Sequence, residues 1–173
     1  MDRSLVLPEG AHVVSGPSFR FSQVSYATTD LDHACRTLGM TYGIPRFSVS
    51  RGARVESPAG TITIDVAQAF VGDRHIEIIE PAGGPDGLYR DVLPSSGFAV
   101  RHHHFGHVAN RADEWARIQA FIEKREWQIV LAGNYCDMMH YAYVDTRAEL
   151  GHYLEFMFQT EKGRDLFKDV PRF

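Results

Sequence analysis

Apolar and polar side chains alternate along this chain in two blocks that follow the same order, and such alternation marks half-buried strands. Phe19 to Thr28 alternates as a strand, and Thr29-Asp30-Leu31-Asp32 supplies the polar residues that open a helix. Leu31, Ala34, Cys35 and Leu38 then fall at helical spacing, which predicts a helix stopped by Gly39. Ile44 to Ser50, Thr61 to Val71 and Arg74 to Glu80 read as three more strands. The last two are joined at Gly72-Asp73, a two-residue hairpin signal with the glycine first. A loop from Pro81 and a short helix over Leu88 to Leu93 end the block at Pro94 and Gly97. The second block predicts a strand over Arg101 to Ala109 and a helix over Ala112 to Lys124, with Trp115, Ile118, Phe121 and Ile122 on one side. Strands follow over Trp127 to Ala132, Cys136 to Asp145 and His152 to Phe158.

The two blocks match in detail as well as in order. Gln23-Val-Ser-Tyr-Ala-Thr-Thr-Asp-Leu-Asp32 is echoed by His104-Phe-Gly-His-Val-Ala-Asn-Arg-Ala-Asp113. Each block closes on a strand with a central glutamate, His75-Ile-Glu77-Ile-Ile and Tyr153-Leu-Glu155-Phe-Met. The spacing from opening polar residue to closing glutamate is 54 residues (77−23) in one and 51 (155−104) in the other. A duplicated unit of this kind sets four polar groups around a pseudo-twofold axis. Two carboxylates, an imidazole and an amide are a metal-ligand set. A carboxylate inside a run of large apolar residues is costly to bury unless it is paired or metal-bound, which separates Glu77 and Glu155 from the other acids. The plain alternative is a solvent-facing glutamate on an amphipathic strand.

With 173 residues, 44% hydrophobic and 23% charged, the chain has the size and balance of one globular domain. A net charge of −4 gives no general basic field, which argues against nucleic acid as a partner. No apolar run approaches a membrane span or a signal sequence, and Cys35 and Cys136 fall on separate elements. The expectation is a cytoplasmic protein without a disulfide.

These residues resemble the vicinal oxygen chelate superfamily, the glyoxalase, bleomycin-resistance and extradiol-dioxygenase group. Its modules open roughly on His-Val-Gly-Ile-Ala-Val-x-Asp-Leu-Asp and close on Ile-Glu-Leu-x-x-Pro. The counterparts are Gln23 to Asp32 with Ile76-Glu77-Ile-Ile-Glu-Pro81, and His104 to Asp113 with Gly151-His-Tyr-Leu-Glu155. Tyr141-Ala-Tyr-Val-Asp-Thr-Arg ahead of the last motif looks closest to the glyoxalase and methylmalonyl-CoA epimerase branch. The resemblance implies an α+β fold of two tandem βαβββ modules whose curved, partly closed sheet surrounds a metal-binding cavity. Residues 1–18 would form an arm, 19–81 the first module, 82–100 a linker with a short helix, 101–159 the second module and 160–173 a tail.

Carried over position by position, the resemblance implies Gln23, Glu77, His104 and Glu155 as ligands of one divalent ion: Zn, Ni, Co, Mn or Mg. It implies proton removal alpha to a carbonyl by Glu155 or Glu77, with the enolate stabilised on the metal, in an isomerase or lyase that works as a homodimer on a small, partly apolar molecule. Where glyoxalases grip their substrate with basic residues, this chain has Ala27 and Pro81, so the fold carries over more safely than the substrate. An Fe(II) extradiol-type dioxygenase is the rival chemistry, with Gln23 in place of a histidine against it. A binding protein of the bleomycin-resistance type is the rival without turnover. In Arg101-His-His-His-Phe-Gly-His107, strand alternation predicts that His102 shares the face of His104 and that His103 faces away. His102, Phe105, Tyr141 and Tyr153 are expected around the substrate. His107, His140 and His152 are expected to be structural, and Cys35 to lie in the core.

Overall fold

The computed structural model of the protein describes residues 19–173. The expected arm, 1–18, lies outside the described residues. The elements run β1 (Phe21–Thr28), α1 (Leu31–Tyr42), β2 (Ser48–Ser57), β3 (Gly60–Val71), β4 (Arg74–Gly83), α2 (Gly87–Arg90), β5 (Val100–Ala109), α3 (Ala112–Lys124), β6 (Ile129–Tyr135), β7 (Met139–Asp145), α4 (Arg147–Leu150) and β8 (Tyr153–Gln159). All eight strands form one sheet in the order β2-β3-β4-β1-β5-β8-β7-β6. Each module is βαβββ, and within each its first and last strands pair in parallel, β1 with β4 and β5 with β8. The two modules meet where β1 runs antiparallel to β5.

Several boundaries depart from the sequence expectation, three of them for a clear local reason. Helix α1 runs through Gly39 and stops at Gly43, whose φ of 70° makes the left-handed cap. The backbone N–H groups of Gly43 and Ile44 both bond to Gly39 O, so Ile44 belongs to the helix exit and β2 begins only at Ser48. Strand β7 starts at Met139 because Cys136 and Asp137 have positive φ, 51° and 58°, in a turn held by Asp137 N donating to Asn134 Oδ1. Neither residue is a glycine, so the turn had no strong sequence signal.

Helices α1 and α3 cover the convex face. Leu31, Ala34 and Leu38 pack on Ala67 and Ile78 in the first module; Ile118 and Ile122 pack on Ala109, Val144, Leu154 and Phe156 in the second. The concave face is lined by both modules together: Ile62, Ile64 and Ile79 meet Leu131, Tyr141, Tyr143, Tyr153 and Met157, with Tyr89 of α2 against them. Tyr141 Oη donates to Glu56 O across the gap between β7 and β2, 3.1 Å, drawing the sheet ends together. The tail returns along β3, where Phe70 N donates to Pro171 O and Phe173 N to Phe70 O. Among the described residues no helix is long and apolar enough to cross a membrane.

Candidate metal centre

Ladder register makes the pseudo-twofold relation explicit. In the first module Gln23 stands opposite His75 and Ser25 opposite Glu77. In the second, His104 stands opposite Tyr153 and Gly106 opposite Glu155. Gln23 therefore corresponds to His104 and Glu77 to Glu155. The β1–β5 pairing joins the halves, setting Gln23 opposite Gly106 and Ser25 opposite His104.

Three of the four sequence-predicted ligands meet directly. His104 Nε2 lies 3.1 Å from Glu155 Oε2 and 3.7 Å from Glu77 Oε2, with His104 fully buried. Adjacent oxygen or nitrogen ligands of a six-coordinate ion, each about 2.1 Å from it, lie about 3 Å apart. Gln23 is buried above Gly106: a Cβ built there would come within 2.8 Å of Gln23 Cβ and 2.9 Å of Met157 Cε, and closer still to Gln23 Oε1. Gln23 Oε1, His104 Nε2 and Glu155 Oε2 are all buried without a hydrogen-bond partner. Glu77 is tied differently, accepting from Ser25 Oγ at 3.0 Å and Gln68 Nε2 at 3.1 Å. Among the described residues no group of three His, Cys, Asp or Glu side chains is placed to hold a metal ion as it stands.

A chain of ring contacts settles the tautomer of His104. His103 Nε2 sits 2.9 Å from Leu88 O, which can only accept, so this nitrogen carries the hydrogen. Burial lowers the pKa of His103 to about 3, and it is neutral. Its Nδ1 is therefore an acceptor, and the hydrogen in the 2.8 Å contact with His104 Nδ1 belongs to His104. Burial also lowers His104 to about 4, so that ring is neutral and its Nε2 bears a lone pair. That lone pair points at a carboxylate oxygen. A lone pair facing an anion at 3.1 Å is repulsive unless a proton or a cation lies between them. Burial raises Glu155 to about 8 despite the opposing influence of the Tyr143 hydroxyl, and it raises Glu77 as well.

The alternation expected along His102 to His104 fails at a bulge. Ser25 pairs with His104 but Tyr26 with His102, so one extra residue, His103, is accommodated on β5. His103 turns inward against Tyr89, Tyr143 and Tyr153, while His102 packs with Tyr26, Phe105 and His152. His102 and Phe105 thus lie among the aromatic groups around Phe21, Tyr26 and His152. Tyr141 and Tyr153 do lie on the concave side. His107 is a buried histidine whose Nδ1 accepts from Arg20 N, and Cys35 packs beside the α1 core. Sequence reasoning passed over His103, Tyr89, Ser25 and Gln68; the histidine run was the only available signal, and the bulge disguised it.

A cavity of about 560 Å³ opens over the two glutamates, walled by Ile64, Ile79, Tyr89, Met139, Tyr141 and Tyr143. Among its lining residues Arg54 is the one cationic side chain. Burial pushes the phenols of Tyr89 and Tyr143 well above the usual range, so both stay protonated donors.

Two βαβββ modules sharing one sheet, with paired polar positions on the first and last strand of each, define the vicinal oxygen chelate fold. Similar solved structures include methylmalonyl-CoA epimerases. A variant of the Streptomyces coelicolor epimerase in complex with 2-nitronate-propionyl-CoA has a TM-score of 0.56 at 16% identity, over 82% of this chain and 98% of that one. The enzyme from Mycobacterium tuberculosis has a TM-score of 0.56 at 12% identity, over 90% and 97%. A hypothetical protein from Bacillus halodurans C-125 has a TM-score of 0.52 at 17% identity, over 83% and 96%. Neither a family model nor a curated protein sequence matches the chain. At these identities the likeness is one of fold.

Proposed function

We propose that the protein is a divalent-metal-dependent enzyme of the glyoxalase and epimerase type, which removes a proton alpha to a carbonyl. The observation that carries this reading is the His104 lone pair aimed at Glu155, with Gln23 Oε1 buried and unpartnered nearby. These are electron-rich atoms gathered in a dry site, and a cation satisfies all of them together. Gln23, Glu77, His104 and Glu155 would hold the ion: three oxygen ligands and one nitrogen, a set suited to Zn, Ni, Co, Mn or Mg. When bound, the ion supplies Lewis-acid polarisation of a carbonyl oxygen.

The chain's own groups supply the rest. Glu155 Oε2 is the candidate base, because burial raises its proton affinity toward the working range of a general base. Glu77 is restrained by Ser25 and Gln68, which favours an orienting role for it. The Tyr143 hydroxyl beside Glu155 favours its charged form. The apolar and phenolic walls keep water from the reacting carbon and suit a small, partly apolar substrate. The epimerases described above are named for methylmalonyl-CoA, whose acidic carbon lies between two carbonyls, and a substrate with such a carbon matches this base. The chain offers only Arg54 at the cavity to grip an anionic group, so identity with that substrate does not follow.

The test combines metal content with solvent exchange. The purified protein, loaded with each candidate ion, should exchange the alpha proton of 2-substituted 1,3-dicarbonyl compounds for deuterium. Stoichiometric metal without exchange across such a panel would favour a sequestering protein. Dioxygen uptake with a catechol in the Fe(II)-loaded protein would favour the oxygenase reading.

A further inference from the structure

A second cavity, of about 920 Å³, lies at the other end of the concave face, where β1 and β4 begin and β5 and β8 end. Its chemistry is opposite to that of the glutamate site. The charged side chains around it are Arg20, Arg74, Arg164, Lys168 and Arg172, against Asp73 alone. Asp73 is bound to Arg74 at 3.0 Å, Arg164 to Glu161 at 3.0 Å, and Lys168 lies 3.8 Å from Asp165. Among the described residues, Arg20 and Arg172 have no carboxylate partner. Two guanidinium charges are therefore left uncompensated at the mouth of one cavity.

The floor carries an independent observation that points to a ligand. His75 is 5% exposed and lines this cavity, and among the described residues its buried Nε2 has no hydrogen-bond partner. Its Nδ1 lies 3.3 Å from Gln23 Nε2, an amide nitrogen that can only donate. Nδ1 therefore accepts, and the neutral ring carries its hydrogen on Nε2. This is a buried donor with no acceptor, and leaving such a group unsatisfied costs about 1–3 kcal/mol. Around it the walls are aromatic: the His75 ring stacks on Phe70 with centroids 4.7 Å apart and tilts against Phe167 at 5.0 Å. Arg172 completes the stack, its guanidinium carbon 3.7 Å over the Phe70 ring.

We propose that this cavity binds a phosphate monoester with an aromatic or apolar body, its oxyanion accepting from His75 Nε2 and lying between Arg20 and Arg172. A monoester carries a charge of about −1.5 to −2 at neutral pH, which matches two unpaired guanidinium groups better than a monoanion does. Planar guanidinium forks suit phosphate oxygens, and the Phe167 ring and the apolar wall beside it suit an aryl or apolar body. The inference does not depend on the reaction assigned to the glutamate site: of the proposed ligand set only Gln23 is involved, and only through its amide nitrogen, which orients His75.

Calorimetric titration of the full chain with phenyl phosphate tests it, with inorganic phosphate and phenol as comparison ligands. Saturable one-site binding is expected, tightest for phenyl phosphate and undetected for phenol. The Arg20→Ala, Arg172→Ala double variant should bind roughly tenfold or more weakly, because charge-assisted hydrogen bonds are lost. Both positions are exposed, so folding is spared. The His75 Nε2–H resonance should shift on titration, and Glu155→Gln should leave binding unchanged. Absence of saturable binding at millimolar phenyl phosphate would overturn the proposal. So would affinity that survives the double substitution, or that disappears in Glu155→Gln, since the anion would then occupy the acidic site.

Discussion

The two halves of the glutamate site hold equivalent carboxylates in unequal surroundings. In the first half Ser25 stands opposite Glu77 and donates to it, and Gln68 donates to its other oxygen. In the second half the equivalent of Ser25 is Gly106, which has nothing to donate and leaves room for the Gln23 amide. Glu155 consequently keeps an unpartnered buried oxygen turned to the His104 lone pair. The repeat holds two equivalent carboxylates, and a Ser-to-Gly difference leaves one tied by two hydrogen bonds and the other with an unpartnered oxygen among the described residues. Glu155, more than Glu77, has the features of a base.

The largest expected effect therefore comes from Glu155→Gln. It should lower alpha-proton exchange by about 10²–10⁴-fold, the usual range for losing a general base, and weaken metal binding in calorimetry. Glu77→Gln should weaken the metal with a smaller loss in turnover of the bound form. Equal losses in the two variants would break the asymmetry. The metal-free protein gives a second measure. Glu155 has its folded pKa raised from 4.5 to about 8, so the folded state holds more protons than the unfolded chain over that interval, and stability falls as pH rises through it. The buried His75, His103 and His104 are lowered to about 4, 3 and 4, and their loss of stability on acidification is confined below pH 6.5. Melting temperature should accordingly drop between pH 6.5 and 8.5, and the drop should shrink in Glu155→Gln.

Next in size is Gly106→Ser, which imposes the first half's residue on the second. The new Cβ would collide with Gln23 and with the end of Met157, and overpacking of this kind costs about 1–3 kcal/mol. Metal affinity should fall because Gln23 is displaced. Ser25→Gly, the reverse exchange, opens space instead of closing it and should leave metal affinity closer to that of the parent. If Gly106→Ser binds metal normally, Gln23 is not a ligand.

The sequence made the duplication legible because a repeat registers as paired spacings, and the ladder register agrees with those spacings at Gln23, Glu77, His104 and Glu155. It also located α3 at its observed limits, since Trp115, Ile118 and Ile122 hold a steady helical period. The bulge was not legible. Alternation assumes an unbroken ladder, and one extra residue on β5 exchanged the expected faces of His102 and His103. The cationic cavity was hidden for another reason: its residues come from β1, β3, β4, β5, β8 and the tail, and no stretch of sequence brings them together.

The exchange of faces can be sharpened with two substitutions on adjacent residues. His103→Phe keeps a ring among Tyr89, Tyr143 and Tyr153 but removes the acceptor that holds the hydrogen on His104 Nδ1. Partners that orient a ligating histidine are worth about 10–100-fold in metal affinity, so a loss of that order is expected. His102→Ala should be the mildest change of all: its ring meets Tyr26, Phe105 and His152, none of which is among the four proposed ligands. Metal affinity and exchange should both stay within a few-fold of the parent. The opposite ranking, with His102→Ala crippling and His103→Phe silent, would restore plain alternation along β5 and remove the tautomer relay on which the lone pair of His104 depends.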